Sequence, residues 1–121
     1  MLRNKAIQAG EPIVADPDKW LNLIHVDDAA ATVLAAEARA KPGAVYNVCD
    51  GHPVRRRDFY TAMAQLLNAP PPRFLPPSAD APLPPHESAN RRLINRRMRE
   101  ELGVELRYPT YQEGLAAAVI Q

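Results

Sequence analysis

The sequence carries a single cysteine, Cys49, in 121 residues. One thiol cannot build an intrachain disulfide framework, and a lone cysteine fits a reducing compartment. Long apolar runs are missing as well: nothing approaches the ~20 residues needed to cross a bilayer. The first residues, "MLRNKAIQAGEP", have neither the apolar stretch nor the small-residue cleavage site of a secretory leader. These absences predict a cytoplasmic, soluble protein with no membrane partner. Charge of one sign is missing too. Fifteen Lys and Arg stand against fourteen Asp and Glu, and the net +1 gives no field that would argue for nucleic acid. What is present is ordinary for a globular chain: 46% hydrophobic and 24% charged residues, enough for one core and too few residues for two. The expectation is one domain, 1–121. The thirteen prolines are the anomaly, because eight fall in "PPPRFLPPSADAPLPP". An irregular segment at 69–87 is expected there, since proline suits neither a helix interior nor a central strand.

Along the chain, residues 2–9 predict a short helix with Leu2, Ala6, Ile7 and Ala9 inward, stopped by Gly10 and Pro12. "PIVADPDKW" predicts an extended piece and a turn. Leu21–Val26 predicts a strand, and Asp28–Ala40 a helix whose many alanines blur its stripe. "AVYNVCD" predicts a second strand and Gly51-His52-Pro53 a turn. From Arg55 to Leu67 the apolar residues Phe59, Ala62, Met63, Leu66 and Leu67 follow the i, i+3, i+4 pattern, the clearest helix in the chain. Arg91–Ile94 predicts a short strand. Asn95 is placed to cap "RRMREEL", which Gly103 closes. Thr110-x-x-Glu113 has the form of a capping box, opening a last helix with Leu115, Ala118 and Val119 inward.

Three clusters carry reactive groups. His25, Asp27 and Asp28 hold an imidazole and two carboxylates, the raw material of a metal site or an acid–base pair. Aspartate at a strand-to-helix joint is also what helix capping asks for, and the cap accounts for both acids without a third ligand. Cys49 and His52 place a thiol near an imidazole, but no third residue orients them, and a buried lone cysteine behaves as a small hydrophobe. The arginines gather at 55–57 and at 91, 92, 96, 97 and 99. Arg92, Arg96 and Arg99 share a face if the helix reaches back that far. Glu100, Glu101 and Glu105 follow at once, so a solvated, ion-paired face is the better reading than a phosphate surface. Composition gives no reason for Arg55–Arg57 at a helix start, where the dipole disfavours cations. Pro82-Leu-Pro-Pro85 is a minimal PxxP, read as part of an exposed connection.

Three stretches in order, "NLIHVDDAAATVLAA", "GAVYNVCDGHPVRRRDFYTAMAQLLNAP" and "NRRLINRRMREELGVELRYPTYQEGLAAAV", resemble the C-terminal, substrate-side portion of extended and atypical short-chain dehydrogenase/reductases, the NAD-dependent epimerase/dehydratase family. The resemblance implies an α/β fold: a small strand–helix–strand–helix unit with a proline-rich loop and C-terminal helices, rather than a complete Rossmann fold. Full members open with a glycine-rich turn that cradles the cofactor pyrophosphate. The five glycines here, at 10, 43, 51, 103 and 114, form no such motif. Members also use Tyr-x-x-x-Lys, and none of Tyr46, Tyr60, Tyr108 and Tyr111 has a lysine four residues on. Leu21 and Asn22 stand where sugar-nucleotide members have an arginine and an acid, which points toward the atypical branch. Arg55 stands where members often have a capping serine or threonine.

The resemblance implies NAD(P) for the full-length family and none bound by this chain alone. No catalytic, cofactor-binding or metal-ligating residue is assigned; Asn22, His25 and Arg92 are the candidates for a substrate pocket. Two functions stay open: a substrate-side fragment that is not catalytic alone, or a stand-alone small-molecule-binding or oligomerising module, an inert relic included. The strands expected near Leu23–Val26 and Val45–Cys49 would in a full member lie against the other half. Left alone they would expose apolar edges. A homodimer or a complementary cofactor-binding chain is therefore expected, and light scattering at high protein concentration checks it: a stable monomer would count against association.

Overall fold

The computed structural model describes residues 4–78 and 89–120. Its order is α1 (Asn4–Gln8), β1 (Ile13–Val14), β2 (Trp20–Leu21), α2 (Val26–Arg39), β3 (Val54–Arg55), α3 (Arg56–Leu66), β4 (Phe74–Leu75), α4 (Arg96–Leu102) and α5 (Tyr111–Ile120), a mixed α/β chain. The chain divides into two compact units: Met1–Leu21 with Val54–Arg91, and Asn22–Pro53 with Arg92–Gln121.

In the first unit β1 pairs in parallel with β4, Ile13 opposite Phe74 and Val14 opposite Leu75, and β2 pairs antiparallel with β3, Trp20 opposite Arg55. The proline-rich segment is thus not wholly irregular. Between its prolines, Phe74 and Leu75 make a two-residue strand, which suits an edge because the prolines flank it rather than interrupt it. Pro82 to Pro85 lie outside the described residues. Ile7, Ile13, Ala15, Val54, Phe59, Met63 and Ala64 form the buried interior. On α3 the expected Phe59 and Met63 are inside, but Leu66 is exposed, and Ala64 and Arg56 are buried instead.

The start of α3 accounts for the first arginine cluster. Arg55 occupies the cap position with no side-chain cap bond. The first helical N–H groups are served from outside the helix: Arg56 donates to the Lys19 carbonyl at 3.0 Å and Arg57 to that of Pro17 at 2.9 Å. Arg55 Nη1 donates to the Asp18 carbonyl at 2.6 Å and its guanidinium lies 4.5 Å from the centre of the Trp20 ring, while Arg57 Nη2 meets Asp18 Oδ1 at 2.9 Å. The arginines staple the helix start to the Asp16–Lys19 turn, and the Asp18 carboxylate offsets cations at an unfavourable dipole end.

In the second unit α2 packs on α4. The contact is made by small residues: Ala35, Ala36 and Ala40 lie against Met98, Leu102 and Val104, with Tyr46 and Leu106 alongside. Thr32 is buried on the same side, its Oγ1 bonded to the Asp28 carbonyl at 2.8 Å. The larger Val33 and Leu34 face outward, 69% and 67% exposed. Gly103, in the left-handed region at φ 66°, ends α4 as expected, and Arg39 Nη1 caps the Leu102 carbonyl at 2.7 Å. Leu115 is buried on α5.

Several local expectations fail in this unit. The strand expected at Leu21–Val26 ends at Leu21, and α2 begins at Val26 rather than Asp28. His25, not an aspartate, is its cap: the backbone is extended at φ −68°, ψ 144°, and Nδ1 accepts the Asp27 N–H at 3.1 Å. Asp28 instead is 2% exposed and accepts two backbone N–H groups, from Arg107 at Oδ1 and from Tyr108 at Oδ2, both at 2.9 Å. No strand forms over 44–49 or 91–94, because a strand needs a ladder partner and none of the described strands runs beside them. Since α4 starts only at Arg96, Arg92 is off the helical face assigned to it. Arg96 pairs with Glu100 at 3.2 Å and Arg97 with Glu101, the ion-paired face that the spacing predicted.

The Asp28 bonds are charge-assisted and buried, so Asp28→Ala is expected to lower stability in urea unfolding by about 3 kcal/mol. Asp27→Ala removes only a half-exposed carboxylate 3.7 Å from His25 and is expected to cost under about 1 kcal/mol.

Candidate functional site

The second unit contains a cavity of about 530 Å³, lined by Asp50, Gly51, His52, Asn95, Arg99 and Val104, and further by Glu105, Leu106 and Pro109. That volume suits a small-molecule ligand. Its frame is built from a turn and the start of α4. At the turn, Asp50 Oδ1 accepts the His52 N–H at 2.8 Å, and Gly51 sits at φ 80°. A Cβ on Gly51 would stand 2.8 Å from both Asn95 Nδ2 and Oδ1, so both conformation and space require glycine.

Asn95 stands at the cap position of α4 but makes no side-chain cap bond. It is 4% exposed and works across the chain: Nδ2 donates to the Cys49 carbonyl at 2.9 Å, and Oδ1 accepts from Arg99 Nε at 3.0 Å. A buried amide thereby holds one edge of the guanidinium of Arg99, a residue that lines the cavity. His52 Nδ1 lies 3.2 Å from the Asp50 carbonyl. A carbonyl only accepts, so Nδ1 donates. Val104 and Leu106 with Pro109 supply an apolar wall. Chemically this is a mixed site, with a fixed guanidinium, a buried carboxyl and an exposed one at Glu105.

Burial pushes the Asp50 carboxyl above its usual range, against the lowering effects of the His52 N–H and the His52 charge. Burial likewise raises the Cys49 thiol, which is 1% exposed. A protonated, enclosed thiol outside the cavity lining does not serve as a nucleophile, so Cys49 is the small hydrophobe of the plainer reading.

The three candidates from the sequence lie elsewhere in this unit. Asn22 Oδ1 accepts the Leu93 N–H at 2.7 Å, which places Asn22 beside the backbone that carries the exposed Arg92. The His25 side chain is 3% exposed, stacked 4.0 Å from Tyr108 with the rings tilted by 31°. Because its Nδ1 accepts, the neutral ring is protonated at Nε2, a buried donor that has no partner among the described residues. None of the three lines the cavity. The cavity residues were hidden from sequence reading because they come from 50–52, 95–99 and 104–109; the one local signal was Gly51 after an aspartate. Among the described residues no group of three His, Cys, Asp or Glu is placed to hold a metal ion, and no helix is long and apolar enough to cross a membrane.

The pH dependence of Asp50 follows from the direction of its shift. A carboxyl raised on folding stabilises fully below its unfolded value, about 3.9, and that contribution is lost as pH rises through the raised folded value. Asp50→Asn is therefore expected to flatten the stability–pH curve from about pH 4 upward relative to the wild type, measured by urea unfolding at a series of pH values.

No protein-family model matches the sequence. Protein YeeZ of Escherichia coli K12 is 34% identical over 96 residues, 78% of this chain and 32% of YeeZ; the chain thus spans about a third of that curated relative's length. Among solved structures, a conserved protein of unknown function from Silicibacter pomeroyi is 41% identical with a TM-score of 0.74, covering 90% of this chain and 40% of that one. The dTDP-glucose 4,6-dehydratase of Bacillus anthracis, solved in complex with NAD, is 18% identical with a TM-score of 0.75, covering 97% of this chain and 36% of the dehydratase. The chain has the α/β fold of the C-terminal-like part of extended short-chain dehydrogenase/reductases of the NAD-dependent epimerase/dehydratase type.

Proposed function

We propose that this chain is the substrate-side portion of an NAD(P)-dependent epimerase/dehydratase-like protein, working with a cofactor-binding half and not catalytic alone. The carrying observation is one of extent: 97% of the chain matches an NAD-bound dehydratase, yet it accounts for only 36% of that enzyme. The sequence adds that the glycine-rich turn and the Tyr-x-x-x-Lys pair, which bind the pyrophosphate and move the proton in full members, are not among these residues.

Within this reading Arg92 is the candidate that reaches a substrate, being exposed. Asn22, bonded to the neighbouring Leu93 N–H, positions the Arg92 backbone. His25, enclosed by Tyr108, acts on the pocket through the segment it braces. The cavity at Asp50, Asn95 and Arg99 supports a second reading, a small-molecule-binding module, because all of its lining lies in one unit of this chain.

Calorimetric titration tests the first reading. The expected outcome is no saturable binding of NADH or NADPH to this chain alone; tight binding would overturn the proposal.

A further inference from the structure

The cavity at Asp50, Asn95 and Arg99 carries hydrogen-bonding groups of both signs that the chain itself does not satisfy. Arg99 Nε is tied to Asn95 Oδ1 at 3.0 Å, while Nη1 and Nη2 have no acceptor among the described residues. Asn95 is itself held: it is 4% exposed, and its Nδ2 donates to the Cys49 carbonyl. Arg99 is therefore a paired donor on an anchored stem, the form that suits a carboxylate or a phosphate. Asp50, also 4% exposed, uses Oδ1 for the His52 N–H, and its Oδ2 has no partner among the described residues. Burial raises this carboxyl, and a cation beside Oδ2 would oppose the rise.

The charge of the lining chooses among ligands. One guanidinium stands with two carboxylates, Asp50 and Glu105, and His52 is the remaining titratable group. A phosphate would bring a second negative charge against those carboxylates. A ligand that is only a cation would leave the Arg99 donors unmatched and be repelled by them. A carboxylate and an ammonium on one molecule answer both signs. Val104, Leu106 and Pro109 add an apolar wall on which a hydrocarbon group sheds water.

We infer that this cavity takes a small zwitterion, an α-amino acid with an apolar side chain. Its carboxylate meets Arg99, its ammonium meets Asp50 Oδ2, and its side chain lies on Val104, Leu106 and Pro109. The inference rests on the small-molecule-binding reading of the cavity given above and names the ligand class.

The test follows the Gly51 and Leu106 amide shifts by NMR as probes are added to the full chain. Leucine carries both charges, isocaproate only the carboxylate, isoamylamine only the ammonium and isocaproamide neither. Leucine is expected to saturate, with isocaproate and isoamylamine weaker by about 10-fold or more, since each lacks one charge-assisted contact. Arg99→Lys is expected to weaken leucine and isocaproate while sparing isoamylamine. Asp50→Asn is expected to weaken leucine and isoamylamine while sparing isocaproate. Loss of structure does not produce that crossed pattern, and if a variant does not fold the probe series decides by itself. Isocaproate or isoamylamine binding as tightly as leucine overturns the inference, as does binding of isocaproamide alone; each leaves the small-molecule-binding reading standing. A folded chain whose Gly51 and Leu106 shifts answer none of the probes overturns that reading together with the inference.

Discussion

The Asp28 carboxylate reaches the backbone N–H groups of Arg107 and Tyr108, 79 and 80 residues further along the chain, and the second unit is organised around that grip. The contact is circular. Asp28 holds Tyr108, Tyr108 covers His25, and His25 caps the helix that carries Asp28. Each member fixes the geometry that the next requires, through hydrogen bonds at two links and a ring stack at the third. Gly114 of α5 packs on the pair as well, since a Cβ placed there would lie 3.6 Å from His25 and from Tyr108, an ordinary contact distance.

Arginine plays a comparable part in both units. Arg55 serves the Asp18 carbonyl, Arg73 that of Gly10, Arg39 that of Leu102 and Arg97 that of Val45. In each case a guanidinium donates to a main-chain carbonyl far away in sequence. A short chain with small sheets leaves many carbonyls outside ladders, and the long, always-charged arginine reaches them where a backbone partner does not. The cations are spent on internal ties, in accord with the balanced charge and with the helix-face pairs to Glu100 and Glu101.

The sequence disclosed features whose cause is local. Phe59 and Met63 are four residues apart on one helix, and their burial needs no distant knowledge. Gly103 ends α4 because only its own backbone has to turn left-handed. The family likeness was legible because it rests on the order of motifs, which survives where single positions drift. What failed depends on partners far along the chain. Asn95 has every local mark of a helix cap, but a carbonyl 46 residues earlier competes for its amide and wins. Asp28 was taken for a cap for the same reason. Val45–Val48 was read as a strand and forms none: a strand also requires a neighbour, and propensity does not reveal whether one is present. The cavity was invisible because three separate segments build it.

Gly51 and Asn95 share one volume: the space a side chain at 51 would need is filled by the amide that ties Cys49 to Arg99. The two positions therefore behave as a single unit of variation. A smaller residue at 95 would open the space but not relieve the left-handed backbone at 51, and it would release the guanidinium. The cavity can be retuned at its exposed rim, at His52 or Glu105, far more freely than at this joint.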